Sequence, residues 1–364
     1  MRRGAIGVAL AAGAVALAGA AVVVILAPVP SPAVAELRLQ VSRDEFATQA
    51  YESSAAVAAH VPADQPGCSA AVGRDGAVVW ADAAGLADLS SGIPVTTSTR
   101  FDIASLSKQF TATAVLLLQR DGMLSLADPI ADYVDGLPSW GATVTLDQLM
   151  HHTSRIPDYW VELDDIGIGF TDAADQAATL DAIRRIAELD EGEGYEYSNS
   201  NYVLLAAAVE RVSGEPFAAF LAQRIFEPLG LDMVLAPTLH APDIALSYDD
   251  DLSLQEAGWT SYGHTGIITT PSQLAVWGDQ YRTGGIVQDD FAAGAVVNDA
   301  TTGERYGAGI YIAVDGNLNH QGRMGGFITD FFVTPDRHTT IVVMCNGHLS
   351  DRNGLAAALR GIWG

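Results

Sequence analysis

Lysine is all but missing from this chain: the 364 residues hold 19 lysines and arginines together, and only one of them, Lys108, is lysine. Basic charge is scarce as a whole, since 44 aspartates and glutamates give a formal charge of −25. Residues 1–35 contribute two arginines and no acids, so the remainder carries −27. Such a body is repelled by nucleic acid and by anionic lipid surfaces. Cysteine is almost absent too. Two residues, Cys68 and Cys345, exclude a disulfide-dense scaffold and leave two readings, a single disulfide or a buried free pair. Phosphate loops, EF-hand loops and HExxH metal motifs are missing. The acidic cluster of Asp249, Asp250 and Asp251 reads as a solvated turn, with a calcium site as the lesser alternative. What the chain does have is apolar bulk, 49% of its residues against 17% charged, enough for one large core or two moderate ones.

Residues 1–35 read MRRGAIGVALAAGAVALAGAAVVVILAPVPSPAVA. Two arginines, an uncharged apolar run, prolines and the small residues Ala33 and Ala35 have the order of a secretory leader cleaved after Ala35. The run over residues 4–27 exceeds the roughly 7–15 residues of an ordinary leader and approaches the roughly 20 that span a bilayer. A removed peptide and an uncleaved anchor are both open, and both place the body outside the cytoplasm. Any membrane contact is expected only through this segment.

Beyond residue 35 there is neither an internal repeat nor a low-complexity linker. Ser42 followed by Glu45 makes a capping box for a helix reaching about His60. GCSAAVGRDGAVVWADAAG reads as two strands around Asp75 and Gly76. SKQFTATAVLLLQRDG after Ser105 is a helix stopped by Gly122. A helical, loop-rich middle follows, with a second capping box at Thr145 and Gln148 and helices near 175–188, 200–212 and 215–227; Thr270, Pro271 and Gln273 open another. The last hundred residues turn to β-rich runs, YGAGIYIAV, LNHQG, FITDFFVTP and TTIVVMCNG, before DRNGLAAALRGIW closes as a helix. Strands from both ends with helices between predict an α+β fold: one antiparallel sheet with a helical lobe inserted.

Lys108 follows Ser105 by three residues, so the two side chains share a helix face. A serine at a helix start also sits at the positive end of the backbone dipole. Its hydroxyl becomes a nucleophile once a base takes its proton; a neutral amine can do this and a guanidinium cannot. At pH 7 a free lysine, with a pKa of about 10.4, is neutral in about one molecule in 2500, so burial must lower that pKa by about three units. A serine and a lysine at this spacing are weak evidence alone. YEYSNSNY holds the chain's only YxN, Tyr197 to Asn199: a second proton carrier and an amide, or simply a tyrosine-rich helix cap. Two HxG triplets compete for a strand edge that admits a substrate: His264, Thr265, Gly266 and His320, Gln321, Gly322. The first runs into a helix start and the second is followed by Gly325, Gly326 and strands, which assigns the site to His320 and leaves His264 as a structural residue near a loop.

SLSK, YSN and HQG in this order resemble the three motifs of the serine β-lactamases and penicillin-binding proteins. Their spacing is most similar to the class C β-lactamase branch, with its D-alanyl-D-alanine carboxypeptidases, D-aminopeptidases and esterases. FDIASLSKQFTA, LDQLMHHTSRIPDY, YEYSNSNYVLLA, IFEPLGLDM and GGFITDFFVTPDRHTTIVVMCNG extend the likeness over residues 46–364. The resemblance implies a five-stranded antiparallel sheet flanked by helices, in one domain over 36–364. Its sheet lobe would take about 36–144 and 260–364, and its helical lobe about 145–259. It sets the strand of Cys68 beside that of Cys345, which predicts their disulfide. It makes Ser105 the nucleophile of an acyl-enzyme, with Lys108 and Tyr197 sharing acid and base work. Asn199, His320, Gln321, Gly322 and Arg323 would bind substrate, and the backbone N–H groups of Ser105 and Arg323 would hold the oxyanion. It calls for no metal and no organic cofactor; the partner is a small-molecule or peptide substrate.

Three positions depart from that pattern. His320 stands where many relatives carry lysine, so a partial positive charge is expected there at neutral pH. Gln321 replaces a carboxylate-reading threonine, and Arg155 stands where a glycine is usual, which alters the loop beside the pocket. Tyr159, Trp160 and Tyr262 could line the cleft, although the core is the commoner place for such rings. The leading expectation is an exported D-alanyl-D-alanine carboxypeptidase-like hydrolase. The alternatives are a small-ester esterase or weak β-lactamase of the same chemistry, and, more distantly, a non-catalytic binding protein that kept the fold.

Overall fold

The computed structural model describes residues 45–364 apart from 237–240, 256, 283, 289 and 348–351. The leader and the Ser42 end of the first capping box lie outside the described residues.

The main sheet is built from both ends of the described chain. Strands β1 (Cys68–Arg74) and β2 (Ala77–Ala84) form a hairpin whose turn, Asp75 and Gly76, has positive φ at both residues, as a tight two-residue connection requires. Six strands arrive from the C-terminal third: β3 (Val296–Asp299), β4 (Glu304–Tyr306), β5 (Tyr311–Ile312), β6 (Leu318–Met324), β7 (Phe327–Val333) and β8 (Thr339–Cys345). Their spatial order is β2-β1-β8-β7-β6-β5-β4-β3. The five strands expected are the run from β2 to β6, and the sheet then continues through three short strands. YGAGIYIAV supplies only two residues of β5, because residues 307–310 leave the ladder to bond back on themselves, Gly307 N–H to the Ile310 carbonyl. β1 and β8 pair antiparallel from Cys68 opposite Cys345 to Arg74 opposite Thr339, and a disulfide joins the two cysteines.

β8 is buried at every residue because both faces are covered, and its alternation divides two cores. Val342 and Met344 enter the large core; Ile341, Val343 and Cys345 enter a smaller one. Helices α1 (Ala47–His60) and α5 (Arg352–Trp363) cover the smaller core, with Phe46 against Trp363 at 5.5 Å and the Trp363 indole donating to Ser53 at 2.8 Å. On the other side lie α2 (Ser107–Arg120), α3 (Asn199–Ser213) and α4 (Pro271–Trp277). α2 is buried from Ser107 through Leu116, the signature of a helix enclosed on all sides. Thr145 and Gln148 form their capping box, both bonds present, over the short helix Leu146–Met150. The helix expected near 175–188 covers Gln176–Arg185. The Asp249 and Asp251 carboxylates accept backbone N–H groups of the same turn.

Candidate active site

Ser105 stands on a backbone turn held from both sides. It lies in a 3-10 turn, Ala104–Leu106, one step ahead of α2. Ala104 has φ of 51°, a left-handed conformation that a side chain resists by about 1–2 kcal/mol. Asp102 holds it there: its carboxylate accepts the Ala104 N–H at 2.7 Å and also bonds the Gly266 N–H. Burial pushes the Asp102 carboxyl up to about 6. From the other side, β6 presses Gly322 onto the turn, so closely that a Cβ there would meet the Ile103 carbonyl oxygen at 2.5 Å. β5 pairs only with Leu318 and Asn319, so among the described residues the rest of that β6 edge has no strand neighbour on the β5 side.

Lys108, one turn into the helix, is fully buried, and its Nζ meets three oxygens: Ser105 Oγ at 3.1 Å, Asn199 Oδ1 at 2.8 Å and the His264 carbonyl at 3.1 Å. Burial brings its pKa down to about 7, against an opposing pull from Asp158. The last two oxygens only accept. A neutral amine therefore gives them its two N–H bonds and turns its lone pair toward the Ser105 hydroxyl. That is the arrangement of a base aimed at a nucleophile.

Asn199 is oriented by Asp158, which accepts both its side-chain Nδ2 at 2.8 Å and its backbone N–H at 3.0 Å. The donors taken by Asp158 leave Oδ1 for Lys108. Tyr197, just ahead of α3, is half-buried, and desolvation raises its phenol well above the usual value while a hydrogen bond with Ser105 pulls the other way. The Lys108 Nζ lies 4.8 Å from its ring centre. His152, whose ring is 4.3 Å from that of Tyr197, accepts at Nδ1 from the Ser198 N–H at 3.2 Å and from Asn201 at 3.0 Å. Burial holds its pKa well below normal, so the ring is neutral. Neither Asp158 nor His152 is marked by charge pattern or spacing in the sequence; both fall within the stretch LDQLMHHTSRIPDY.

The two competing histidines both belong to the site. His320 contributes its ring: Nδ1 donates to the Gln321 carbonyl at 2.7 Å, and Nε2 accepts from the Tyr306 hydroxyl at 3.4 Å. Burial, then the nearby Lys108 charge, lower its pKa to about 3. The partial positive charge expected there is thus absent at neutral pH. His264 contributes its carbonyl to Lys108, while its ring bonds the Tyr159 hydroxyl at 2.8 Å; it is framework for the base, more than a loop residue. Tyr159 is accordingly buried support, and Tyr262 stacks on Phe217 and donates to Glu210. Trp160 is 39% exposed beside Trp259 at 5.6 Å. The rings gathered around His320 are instead Tyr197, Tyr306 and Tyr311.

A cleft of about 340 Å³ leads out from this group, lined by Tyr197, Glu304, Tyr311, Asn319, His320 and Gln321. Gln321 forms part of its wall with its amide nitrogen donating to Asp330 at 3.0 Å. Arg323 is exposed and outside this lining. Arg155 has φ of 62°. Its guanidinium pairs with Glu196 and donates to the Glu191 carbonyl, clamping the segment that leads into Tyr197.

A family model described as Beta-lactamase matches residues 55–361. A penicillin-binding protein of Bacillus subtilis is 33% identical over 165 residues, 43% of this chain and 35% of the relative. A D-aminopeptidase of Cereibacter sphaeroides is 29% identical over 315 residues, 81% of this chain and 60% of the relative. The chain thus spans about a third to three fifths of these two curated relatives. The crystal structure of a D-stereospecific amidohydrolase from Streptomyces sp. superposes with a TM-score of 0.71 at 20% identity, over 85% of this chain and 97% of that one, which speaks for the fold. With the family model matched across nearly all of the described residues, the chain belongs to the beta-lactamase family.

Proposed function

We propose that this protein hydrolyses amide bonds next to D-amino acids through a Ser105 acyl-enzyme, with chemistry like that of D-alanyl-D-alanine carboxypeptidases. The observation that carries the reading is the Lys108 amine, buried with a pKa of about 7 and a lone pair directed at Ser105 by two acceptor-only partners. Ser105 Oγ attacks the carbonyl while its proton passes to the pair formed by Lys108 and Tyr197, whose titrations are coupled. The oxyanion is received by the backbone N–H groups of Ser105 and Arg323. The proton moves to the leaving amine, and water then releases the acyl group by the same route in reverse. The unpaired β6 edge offers an extended peptide a strand to lie against.

The relatives named as a D-aminopeptidase and a D-stereospecific amidohydrolase support the D-amino-acid part. A neutral His320 gives the site little pull on a substrate carboxylate, which disfavours strong β-lactam binding. The order of residues 1–35 and the disulfide both suit an exported protein in an oxidising compartment.

The test is labelling with a fluorophosphonate and with penicillin, followed by turnover of Ac-Lys-D-Ala-D-Ala, a D-amino-acid amide and p-nitrophenyl acetate. An adduct mapped to Ser105 and absent in Ser105→Ala, with faster turnover of the D-amino-acid amides than of their L forms, is expected. Unlabelled Ser105 together with no turnover of any substrate would leave a binding protein as the better reading; ester turnover without amide turnover would leave an esterase.

A further inference from the structure

His151 and His152 stand side by side and are both buried, yet they serve different ends. His151 turns back on the short helix before it, with Nδ1 at 3.0 Å from the Asp147 carbonyl. His152 holds Tyr197 at three points. Its backbone carbonyl accepts the Glu196 N–H at 2.7 Å, its ring Nδ1 accepts the Ser198 N–H at 3.2 Å, and the ring lies 4.3 Å from the Tyr197 ring, tilted by 32°. One residue thus fixes the backbone on both sides of Tyr197 and gives the phenol a wall to lie against. Tyr197 in turn bonds Ser105, and the Lys108 Nζ is 4.8 Å from its ring centre. His152 therefore stands one side chain behind the reacting group.

His152 is itself anchored to α3. Asn201 Nδ2 donates to the same Nδ1 at 3.0 Å, while Asn201 Oδ1 accepts the Ser154 hydroxyl at 2.6 Å and the Tyr202 hydroxyl donates to the Met150 carbonyl at 2.8 Å. Two unfavourable features persist in this arrangement. His152 has φ of 55°, a region that a side chain resists. Because Nδ1 accepts a backbone N–H, the ring proton is on Nε2, an atom that is buried and has no hydrogen-bond partner among the described residues, which is also costly. Asparagine would suit that backbone better and still present an acceptor to Ser198; what it lacks is the ring. Strain of this kind lasts where the surroundings enforce it, and beside a reacting group it serves to hold that group in place.

We infer that His152 is a positioning residue that holds the Tyr197 phenol at the Ser105 hydroxyl, so that proton transfer between them, and not substrate binding, depends on it. This inference rests on the reading of Tyr197 as a proton carrier of the hydrolase.

The experiment is a double-mutant cycle, read as kcat and KM for p-nitrophenyl acetate and as the rate of Ser105 labelling by a fluorophosphonate. His152→Asn keeps the acceptor and loses the ring; His152→Phe keeps a ring and loses the acceptor. Each should lower kcat and the labelling rate by about tenfold to 10²-fold, as displacement of a reacting group by up to about 1 Å does, with KM within about twofold of wild type. In a Tyr197→Phe background, where there is no hydroxyl to place, the same substitutions should cost less than about threefold. A folded His152 variant with the wild-type rate overturns the inference, and so does a loss of equal size in both backgrounds, which would make His152 structural only. Should neither variant fold, nitrogen NMR of the imidazole in the unmutated protein decides: Nδ1 without its proton is expected at pH 7, and a protonated Nδ1, unable to accept the Ser198 N–H, overturns the inference. A wild type that neither turns over p-nitrophenyl acetate nor takes a label at Ser105 would remove the hydrolase reading and this inference with it.

Discussion

The Nζ of Lys108 and the backbone carbonyl of His264 meet at 3.1 Å, and that bond does for the base what no side chain could do without adding charge. A carboxylate in the same place would raise the lysine pKa; a carbonyl accepts one N–H and leaves the amine free to ionise near 7. Asn199, neutral as well, takes the second N–H. Among the described residues, the charged group that acts on Lys108 is Asp158, from behind Asn199.

The first prediction concerns pH. With Lys108 at about 7, the neutral, competent form grows as pH rises, so kcat/KM should climb through an apparent pKa near 7 that belongs to the coupled pair of Lys108 and Tyr197. His320, at about 3, should add no step between pH 5 and 8. Lys108→Arg should lower kcat/KM by about 10²-fold to 10⁴-fold, the range for loss of a general base, without recovery up to pH 10, because guanidinium stays protonated. A second inflection near 6.5 that vanishes in His320→Gln would refute the neutral histidine.

The parts of this site legible in sequence are those whose chemistry is local. Ser105 and Lys108 share a helix face, and an amine among arginines asks for a proton to remove. Tyr197 and Asn199 stand two residues apart at the start of α3. The parts that were not legible act through atoms that every residue has or through distant partners. His264 works by its carbonyl, so its triplet read as a loop. Asp158 reaches Asn199 across 41 positions. The sheet shows the same division: long alternating strands could be seen, whereas β3, β4 and β5, two to four residues each, have too little pattern to announce themselves.

Asp102 should separate activity from stability. Its folded pKa, about 6, lies above the unfolded value of 3.8, so near pH 7 the ionised, buried carboxylate costs stability, and the cost fades as pH falls through 6 toward 3.8. Asp102→Asn removes the charge but puts an NH₂ group where an acceptor oxygen was, loosening Ala104 and the 264–266 segment together. The variant should melt at or above the wild-type temperature at pH 7 while kcat/KM falls by about tenfold or more. A lower melting temperature with unchanged kcat/KM would mean that Asp102 is structural only.

Gly322 gives a sharper version of the same test. An alanine Cβ would lie 2.4 Å from Thr329 Oγ1 and 2.5 Å from the Ile103 carbonyl oxygen, contacts that force β6 and the Ser105 turn apart. Gly322→Ala should reduce Ser105 labelling by about 10²-fold, the effect of misplacing reacting groups by about 1 Å. Labelling at the wild-type rate would show that the turn and the strand need not touch.

Arg155 opposes two effects of known sign. At φ of 62° any side chain is strained by about 1–2 kcal/mol, yet its guanidinium secures residues 190–196 ahead of Tyr197. Arg155→Ala keeps the strain and loses the clamp, so it should lower the melting temperature and weaken kcat by loosening Tyr197. Arg155→Gly loses the clamp but relieves the strain, and should melt above the alanine variant with the same reduced kcat. If both variants keep wild-type kcat, the clamp does not position Tyr197.

The disulfide divides the molecule in a way that can be measured. Cys68 and Cys345 belong to the smaller core with Val57, Leu355 and Trp363, under α1 and α5, whereas Ser105, Lys108 and Tyr197 lie on the other side of the sheet. A bond closing 277 residues restricts the unfolded chain strongly, and removing one commonly lowers stability by about 2–4 kcal/mol. Reductant, or paired Cys68→Ala and Cys345→Ala, should lower the melting temperature by several degrees and leave kcat at 25 °C unchanged. Alkylation without reductant should add no label, since both thiols are joined. Two labels on the untreated protein would dissolve the bond, and a fall in kcat that parallels the fall in melting temperature would show that the two faces of the sheet are not independent.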